Sequence, residues 1–468
     1  MSEQTIGVIV GNRDFFPDVL IQEARKDITK VLNDMNMKAV MFDENQGKLG
    51  AVETWEHAKA CAALFDEHRH DISGILVVLP NFGDEKGIAD TIKLSGLNVP
   101  VLVQAYPDDI NQFNVERRRD AFCGKISVCN NLRQYDIPYS LTSRHTMAFN
   151  DDDFKQDLKS FLGVCRVVNG MQSARFGAIG ARPSAFNTVR FSEKLLQDAG
   201  ISVSTIDFSE VFGKANNYKD NDGKVEAKIE EIKSYANAEN VPLTSLILMA
   251  KLGLVIDEWM AENDLNATAI QCWTSLQSNY GINVCTLMSM MSHNLMPSAC
   301  EVDITGVASM YALQLASGKP SALVDWNNNY GDDPDKCVFF HCGNWPKEFL
   351  PNVEIKTAEI LGTITGEENT YGALAGRTPA GPVTFARIST DDVYGEIRAY
   401  VGEGEFTDDP LDTFGARAVV HVPNLQPLMR YICDTGFEHH CAMNADHVAD
   451  IIEEAFVTYL HWDIFRTS

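Results

Sequence analysis

A chain of 468 residues is too long for a single hydrophobic core and predicts about two to four domains. With 39 Lys and Arg against 65 Asp and Glu the formal charge is −26, which repels phosphate backbones and anionic lipid faces; nucleic acid and membrane partners are excluded, and no apolar run is long enough to span a bilayer. Eleven cysteines without a CxxC pair, behind a start with no basic signal segment, predict a reducing, cytoplasmic setting in which thiols are small core residues and no zinc ribbon forms.

The first hundred residues alternate strand and helix patterns. "TIGVIVG" is a short apolar run, and Ile21, Ala24, Ile28, Val31, Leu32 and Met35 then recur at helical spacing before the run "KAVMF". Next come the helical "VETWEHAKACAALFDEH", the strand "GILVVL", the helix "EKGIADTIKLSG" closed by Gly96, and the strand "VPVLVQAY". Such alternation predicts a parallel sheet with helices on both faces. The stretch 107–169 is less regular, with a loop at "RRRDAFCGKISVCNNL" and a helix at "DDDFKQDLKSFLGVC".

A second α/β unit opens at "RFGAIG", runs through a helix "PSAFNTVRFSEKLLQDAG" framed by Pro183 and Gly200, and returns in "ISVSTID". The helices "KVEAKIEEIKSYA" and "PLTSLILMAKLGLVIDEWMAEN" precede the strand "ATAIQCW". After about Pro351, the segments "KTAEILGTIT", "GPVTFARIST" and "YGEIRAYVGEG" predict antiparallel strands, and "HVADIIEEAFVTYLHW" a closing helix. The expected fold is α/β: two doubly wound α/β domains, 1–170 and 171–352, followed by a β-rich C-terminal domain, 353–468.

Three constellations could carry chemistry. "RFGAIGARP" places GxxG before Arg182 at a strand-to-helix turn, where backbone N–H groups could hold an anion; without GxGxxG or GK[ST], a tight packing turn is the favoured use. "ACEVDITG" sets Glu301 and Asp303 in a run of small and apolar residues, where an ionised carboxylate needs a cation, a metal or several donors. Asp325 follows "SALV" at an expected strand end, and His341, His439, His440 and His447 lie downstream; adjacent His439 and His440 point apart, so only one joins a given site. Two carboxylates and one imidazole suit Mn(II), Mg(II), Co(II) or Fe(II), with open positions for solvent or substrate oxygens. The same residues also fit a blander account in which Asp303 caps a helix, Asp325 caps a turn and the histidines lie on the surface.

Taken together, "ACEVDITG" followed by a helix, "SALVDW", and "EHHCAMNADHVAD" resemble the L-fucose isomerase and L-arabinose isomerase superfamily of metal-dependent sugar isomerases. The domain order agrees over nearly the whole chain. The resemblance implies an aldose–ketose isomerase acting through an enediolate, with Glu301 and Asp325 both metal ligands and acid/base groups, His440 the third protein ligand, and Mn(II) the first choice of metal. It nominates Gln271 and Trp273 in "IQCWTSLQ" for the sugar pocket and His341 as the counterpart of a further histidine in arabinose isomerases. The substrate is a monosaccharide or a deoxy, acidic or sulfonated relative of one. The resemblance also implies a homo-oligomer, a trimer or hexamer, with the active site at a subunit interface, where Arg13 and Lys125 of one subunit meet the sugar bound by its neighbour. The rival readings are a non-enzymatic sugar-binding protein and a metal-dependent hydrolase or aldolase using the same ligands.

Overall fold

Strand-length apolar runs separated by amphipathic helices are stable as a parallel sheet covered on both faces. The computed structural model describes residues 4–467. It forms two compact units: one holds the described residues through Asn169 together with Glu454–His461, the other Gly170–Glu453 and the residues from Trp462 onward.

In the first unit β1 (Thr5–Val10), β2 (Lys38–Val40), β3 (Ile72–Leu79), β4 (Val101–Ala105) and β5 (Ser140–Leu141) make a parallel sheet in the order β2-β1-β3-β4-β5. Alternation divides its side chains between two cores. Ile6, Val8, Val10, Leu76, Val78 and Leu102 face one, while Ile9, Ile75, Val77, Val101 and Val103 face the other. The expected loop at 117–132 is instead largely the helix Ala121–Gln134, which buries Ala121, Gly124, Lys125, Val128 and Leu132. Its helical period is hidden in the sequence because Gly124 and Lys125 occupy apolar-face positions. Gly124 is required there, since a Cβ would run into the backbone of Phe82.

The second unit opens with β6 (Arg175–Ile179), β7 (Ser202–Ile206), β8 (Ala267–Ile270) and β9 (Ser298–Cys300), parallel in the order β7-β6-β8-β9. No long helix starts at Pro183. That segment is a loop with one 3-10 turn, Asn187–Val189, and a short helix, Glu193–Asp198. The remaining strands are β10 (Ser321–Asn329), β11 (Lys336–His341), β12 (Glu354–Thr357), β13 (Tyr371–Arg377), β14 (Gly381–Asp391), β15 (Glu396–Thr407), β16 (Ala416–His421), β17 (His440–Asn444) and β18 (Asp463–Arg466).

These run in the order β12-β13-β16-β11-β10-β17-β14-β15-β18, and a further β15–β16 pairing closes the six central strands into an antiparallel ring. Closure removes open edges and holds the inward and outward faces in register. The parallel α/β layers and the β-rich C-terminal region are thus as the sequence predicts. Three details differ. "KTAEILGTIT" is β12 followed by the helix Glu359–Thr365, the closing helix is followed by β18, and β10 continues four residues beyond Asp325. Asp325 therefore sits in mid-strand within the ring, in the same sheet as the C-terminal strands and not at the end of a parallel strand.

Candidate active site

The site begins where β9 ends. Glu301 and Val302 both take left-handed backbone angles, φ 59° each, an unfavourable conformation for a β-branched valine. This turn swings Glu301 off the sheet end and delivers Asp303 to the N-cap of the helix Ile304–Ser317, where its Oδ1 accepts the Gly306 N–H at 2.8 Å. A Cβ at Gly306 would strike the Asp303 carboxylate, so the glycine is part of the motif. Helix capping is only one of the duties of Asp303.

Asp325 on β10 pairs directly with His440 on β17, which puts both side chains on one face of the ring. His440 Nε2 lies 3.3 Å from Asp325 Oδ1 and 3.1 Å from Glu301 Oε2. Its Nδ1 lies 2.9 Å from Asp303 Oδ2. Asp303 is gripped by Arg387, which donates from Nη1 to Oδ2 at 2.6 Å and from Nη2 to Oδ1 at 3.0 Å, and also from Nη2 to Thr305 Oγ1 at 2.8 Å. Glu438 closes the chain, taking Arg387 Nε at 3.2 Å and the Ser389 hydroxyl at 2.8 Å. On the opposite side Trp273 donates its indole N–H to Glu301 Oε1 at 3.1 Å.

Burial raises the cost of every charge in this chain, and pairing offsets it. For Asp303, burial pushes the carboxyl up, yet Arg387 and His440 outweigh it and hold the group well below the ordinary range. Burial likewise works against the charged Arg387, but Asp303 and Glu438 raise it further above its ordinary value. His440 is pushed up to about 9: its contacts with Asp303 and Glu301 overcome the penalty of burial. Glu301 stays below its ordinary value because His440 and His341 outweigh burial.

These residues fit a divalent metal. Glu301 Oε2 and His440 Nε2 are buried and 3.1 Å apart, yet neither makes a hydrogen bond of acceptable geometry. With Nδ1–H donated to Asp303, the imidazole turns its lone pair at Nε2 toward the carboxylate, a contact that a proton or a cation must bridge. Glu301, His341 and His440 offer ligand atoms within 4.8 Å of one another, as do Asp325, His439 and His440. The donor set is oxygen and imidazole, with Asp325 partly open to solvent.

The structure brings together Glu301, Asp325, His440, His341 and Trp273 and leaves other candidates aside. His439 precedes β17 in a bend, so strand alternation does not turn it away: its Nε2 lies 3.5 Å from Asp325, and both adjacent histidines face that carboxylate. Gln271 uses its side-chain carbonyl on the Ala181 N–H at 2.9 Å, and the Gly180 N–H goes to Ile206 O at 2.9 Å. The GxxG turn is therefore a packing turn, with these two N–H groups already taken. His447 lies against Gly404 O and Glu405, each at 3.3 Å.

In the first unit Arg13 pairs with Glu85 and donates to Gly83 O at 3.0 Å. Lys125 presents no charge at the surface: it is 1 % exposed and donates to Thr142 Oγ1 at 2.7 Å. Sequence reading missed Arg387, Glu438 and Phe186, whose ring lies 5.5 Å from those of Trp273 and His439. An arginine inside the apolar strand "VTFARIS" was the available signal, because such a charge requires a carboxylate partner.

Two family models match the chain: "Fucose/sulfoquinovose isomerase, N-terminal domain" over residues 7–172 and "L-fucose isomerase, C-terminal domain" over residues 339–467. The chain belongs to the fucose isomerase-like family. Among curated family relatives, a sulfoquinovose isomerase of Alkalicoccus urumqiensis is 26% identical over 354 residues, 71% of this chain and 74% of that protein. One of Priestia aryabhattai is 25% identical over 349 residues, 70% of this chain and 71% of the relative. A third, from Clostridium sp. (strain MSTE9), is 27% identical over 187 residues, 40% and 41% of the two chains. The family member described here is a sugar isomerase of the aldose–ketose type. No helix among the described residues is long and apolar enough to cross a membrane.

Proposed function

We propose that this enzyme interconverts a sulfonated aldose and its ketose, with Glu301 and Asp325 moving the protons and a divalent metal, Mn(II) first, held by Glu301, Asp325 and His440. The observation that carries the reading is the unbridged pair Glu301 Oε2 and His440 Nε2, with Asp325 Oδ1 3.3 Å from the same nitrogen. When bound, the metal supplies Lewis-acid stabilisation of the charge that develops on the sugar oxygens.

The chain's own residues do the rest. One carboxylate takes the carbon-bound proton at C2 of the open-chain aldose and returns it to C1, while the other moves a proton between the two oxygens. The roles exchange in the reverse direction. The carbon base works through position more than basicity. Trp273 fixes one oxygen of Glu301, leaving the other directed at the site. Asp303 orients His440 through Nδ1, and Arg387 holds Asp303 ionised.

The relatives support the sulfonated substrate by their names, and a cavity of about 680 Å³ beside Val302 and Glu438 supports it by the arginines in its wall. Arg182, Arg190 and Arg398 line this cavity. Asp391 faces Arg398 at 3.7 Å, Glu438 is held by Arg387, Asp392 shares the lining and Arg182 donates to Pro183 O at 3.0 Å, so Arg190 and the remaining N–H groups of Arg182 are the donors offered to a sulfonate. A homo-oligomeric enzyme with Arg13 near a neighbour's sugar belongs to the same proposal.

The test is ketose formation from a sulfonated and an unsubstituted hexose, before chelation, after it and after Mn(II) is restored, with Glu301→Gln in parallel. Turnover of the sulfonated sugar that is lost on chelation, restored by Mn(II) and reduced at least about 1,000-fold in the variant is expected. Sugar binding without ketose formation, or full activity of Glu301→Gln, would refute the reading.

A further inference from the structure

The cysteines, read from spacing as unrelated core residues, converge behind the carboxylate–imidazole site. Cys285 opens the helix Cys285–His293, Cys300 is the last residue of β9, and Cys342 follows the last residue of β11. Their three sulfurs all lie within 4.8 Å of one another. Cys300 immediately precedes Glu301, and Cys342 immediately follows His341, so two residue pairs carry a hard donor forward and a soft donor back. His341 Nδ1 lies 3.5 Å from Cys342 Sγ. Cys285 and Cys300 are sealed from solvent, whereas Cys342 is half-buried and belongs to the wall of a separate cavity of about 560 Å³. Glu301, Asp325 and His440 are not among the residues that line that cavity.

The geometry points to a second metal site, in which Cys285, Cys300 and Cys342 bind one thiophilic cation of the Zn(II) class. Three thiols become thiolates on binding and release three protons to solvent, and no electron is transferred. A zinc–thiolate bond is about 2.3 Å, which sets tetrahedral sulfur–sulfur separations near 3.8 Å, so the trio closes around the ion with a contraction of about 1 Å at most. Sulfur selects a soft cation and the Glu301 side selects Mn(II) or Mg(II), so the two sites sort metals by donor chemistry. This inference stands on the sulfurs alone and is independent of the sugar that the enzyme turns over.

Cd(II) is the probe, because sulfur-to-cadmium charge transfer absorbs in the ultraviolet and oxygen and imidazole ligation gives no such band. The full-length protein carries Cys123→Ser and Cys433→Ser to remove the two exposed thiols. One equivalent of Cd(II) is expected to produce the band in this background, and excess Mn(II) is expected to leave it in place. Cys285→Ala lies next to none of the Glu301-side ligands and is expected to abolish the band, with folding checked by circular dichroism. If that variant does not fold, Cys342→Ala serves in its place. Absence of the band in the parent protein, or a band that survives in the folded variant, overturns the inference.

Discussion

Two buried cations, one in each unit, are accommodated in opposite ways. Arg387 is fully buried between Asp303 and Glu438, donates four side-chain hydrogen bonds and is driven further into its charged form. Lys125 is as deeply buried, but its one hydrogen bond goes to a hydroxyl, and burial lowers its pKa to about 8 against weaker pulls from Cys129 and Asp157. Removing a charge from water is tolerable either with paired counter-charges or by approaching neutrality. The first arrangement fixes the position of a carboxylate at every working pH, which is what an oriented imidazole needs. The second fills space in a helix face and fixes nothing of comparable charge.

The largest expected effect comes from Asp303→Asn, which removes the link between the Arg387 pair and His440. The variant leaves Arg387 with the Glu438 carboxylate and the Thr305 hydroxyl, and His440 Nδ1 without its carboxylate. Stability to urea is expected to fall by about 3–5 kcal/mol, and metal affinity about 10–100-fold. Metal titration and urea unfolding together separate the two duties of Asp303. A stability loss with unchanged metal affinity would reduce Asp303 to a helix cap. Next in size is Arg387→Lys, which keeps the charge and loses the two-pronged grip on Asp303. A loss of about 2 kcal/mol in the same unfolding assay is expected, and a silent substitution would show that the fork geometry is unimportant.

The same contrast explains what could be read from the sequence. The first sheet was legible because strand alternation and helical period are local, and Gly96 marked a real helix boundary as C-cap, while Thr54, read inside the preceding helix, is its N-cap. The helix Ala121–Gln134 was not, because Gly124 and Lys125 stand on its inner face and imitate a loop. At the site, Glu301, Asp325 and His440 were legible through the motif "ACEVDITG", "SALVDW" and "EHHC" taken as a set, although Asp325 was placed at a strand end that does not exist. Arg387 and the three cysteines escaped because their meaning lies in contacts between distant segments. Arg387 meets Asp303 across 84 positions, and no local pattern announces either that pair or a convergence of thiols from three elements.

The smallest expected effect tests the other cation. Lys125 has a folded pKa of about 8 against an ordinary 10.5, so between these values the unfolded chain holds the proton and the folded protein releases it. Stability contributed at this position therefore rises with pH across that window, and below pH 8 the protein carries a constant penalty of about 3 kcal/mol. Lys125→Met removes the charge at similar side-chain length. It is expected to be more stable than the parent by about 2 kcal/mol at pH 7, after loss of the Thr142 hydrogen bond. Unfolding of both proteins from pH 7 to 10 gives the decisive quantity, the gap between them. That gap is expected to shrink as the parent sheds the lysine proton, whereas a gap independent of pH would mean that the folded protein keeps Lys125 charged throughout and that the two buried cations are not the opposites drawn here.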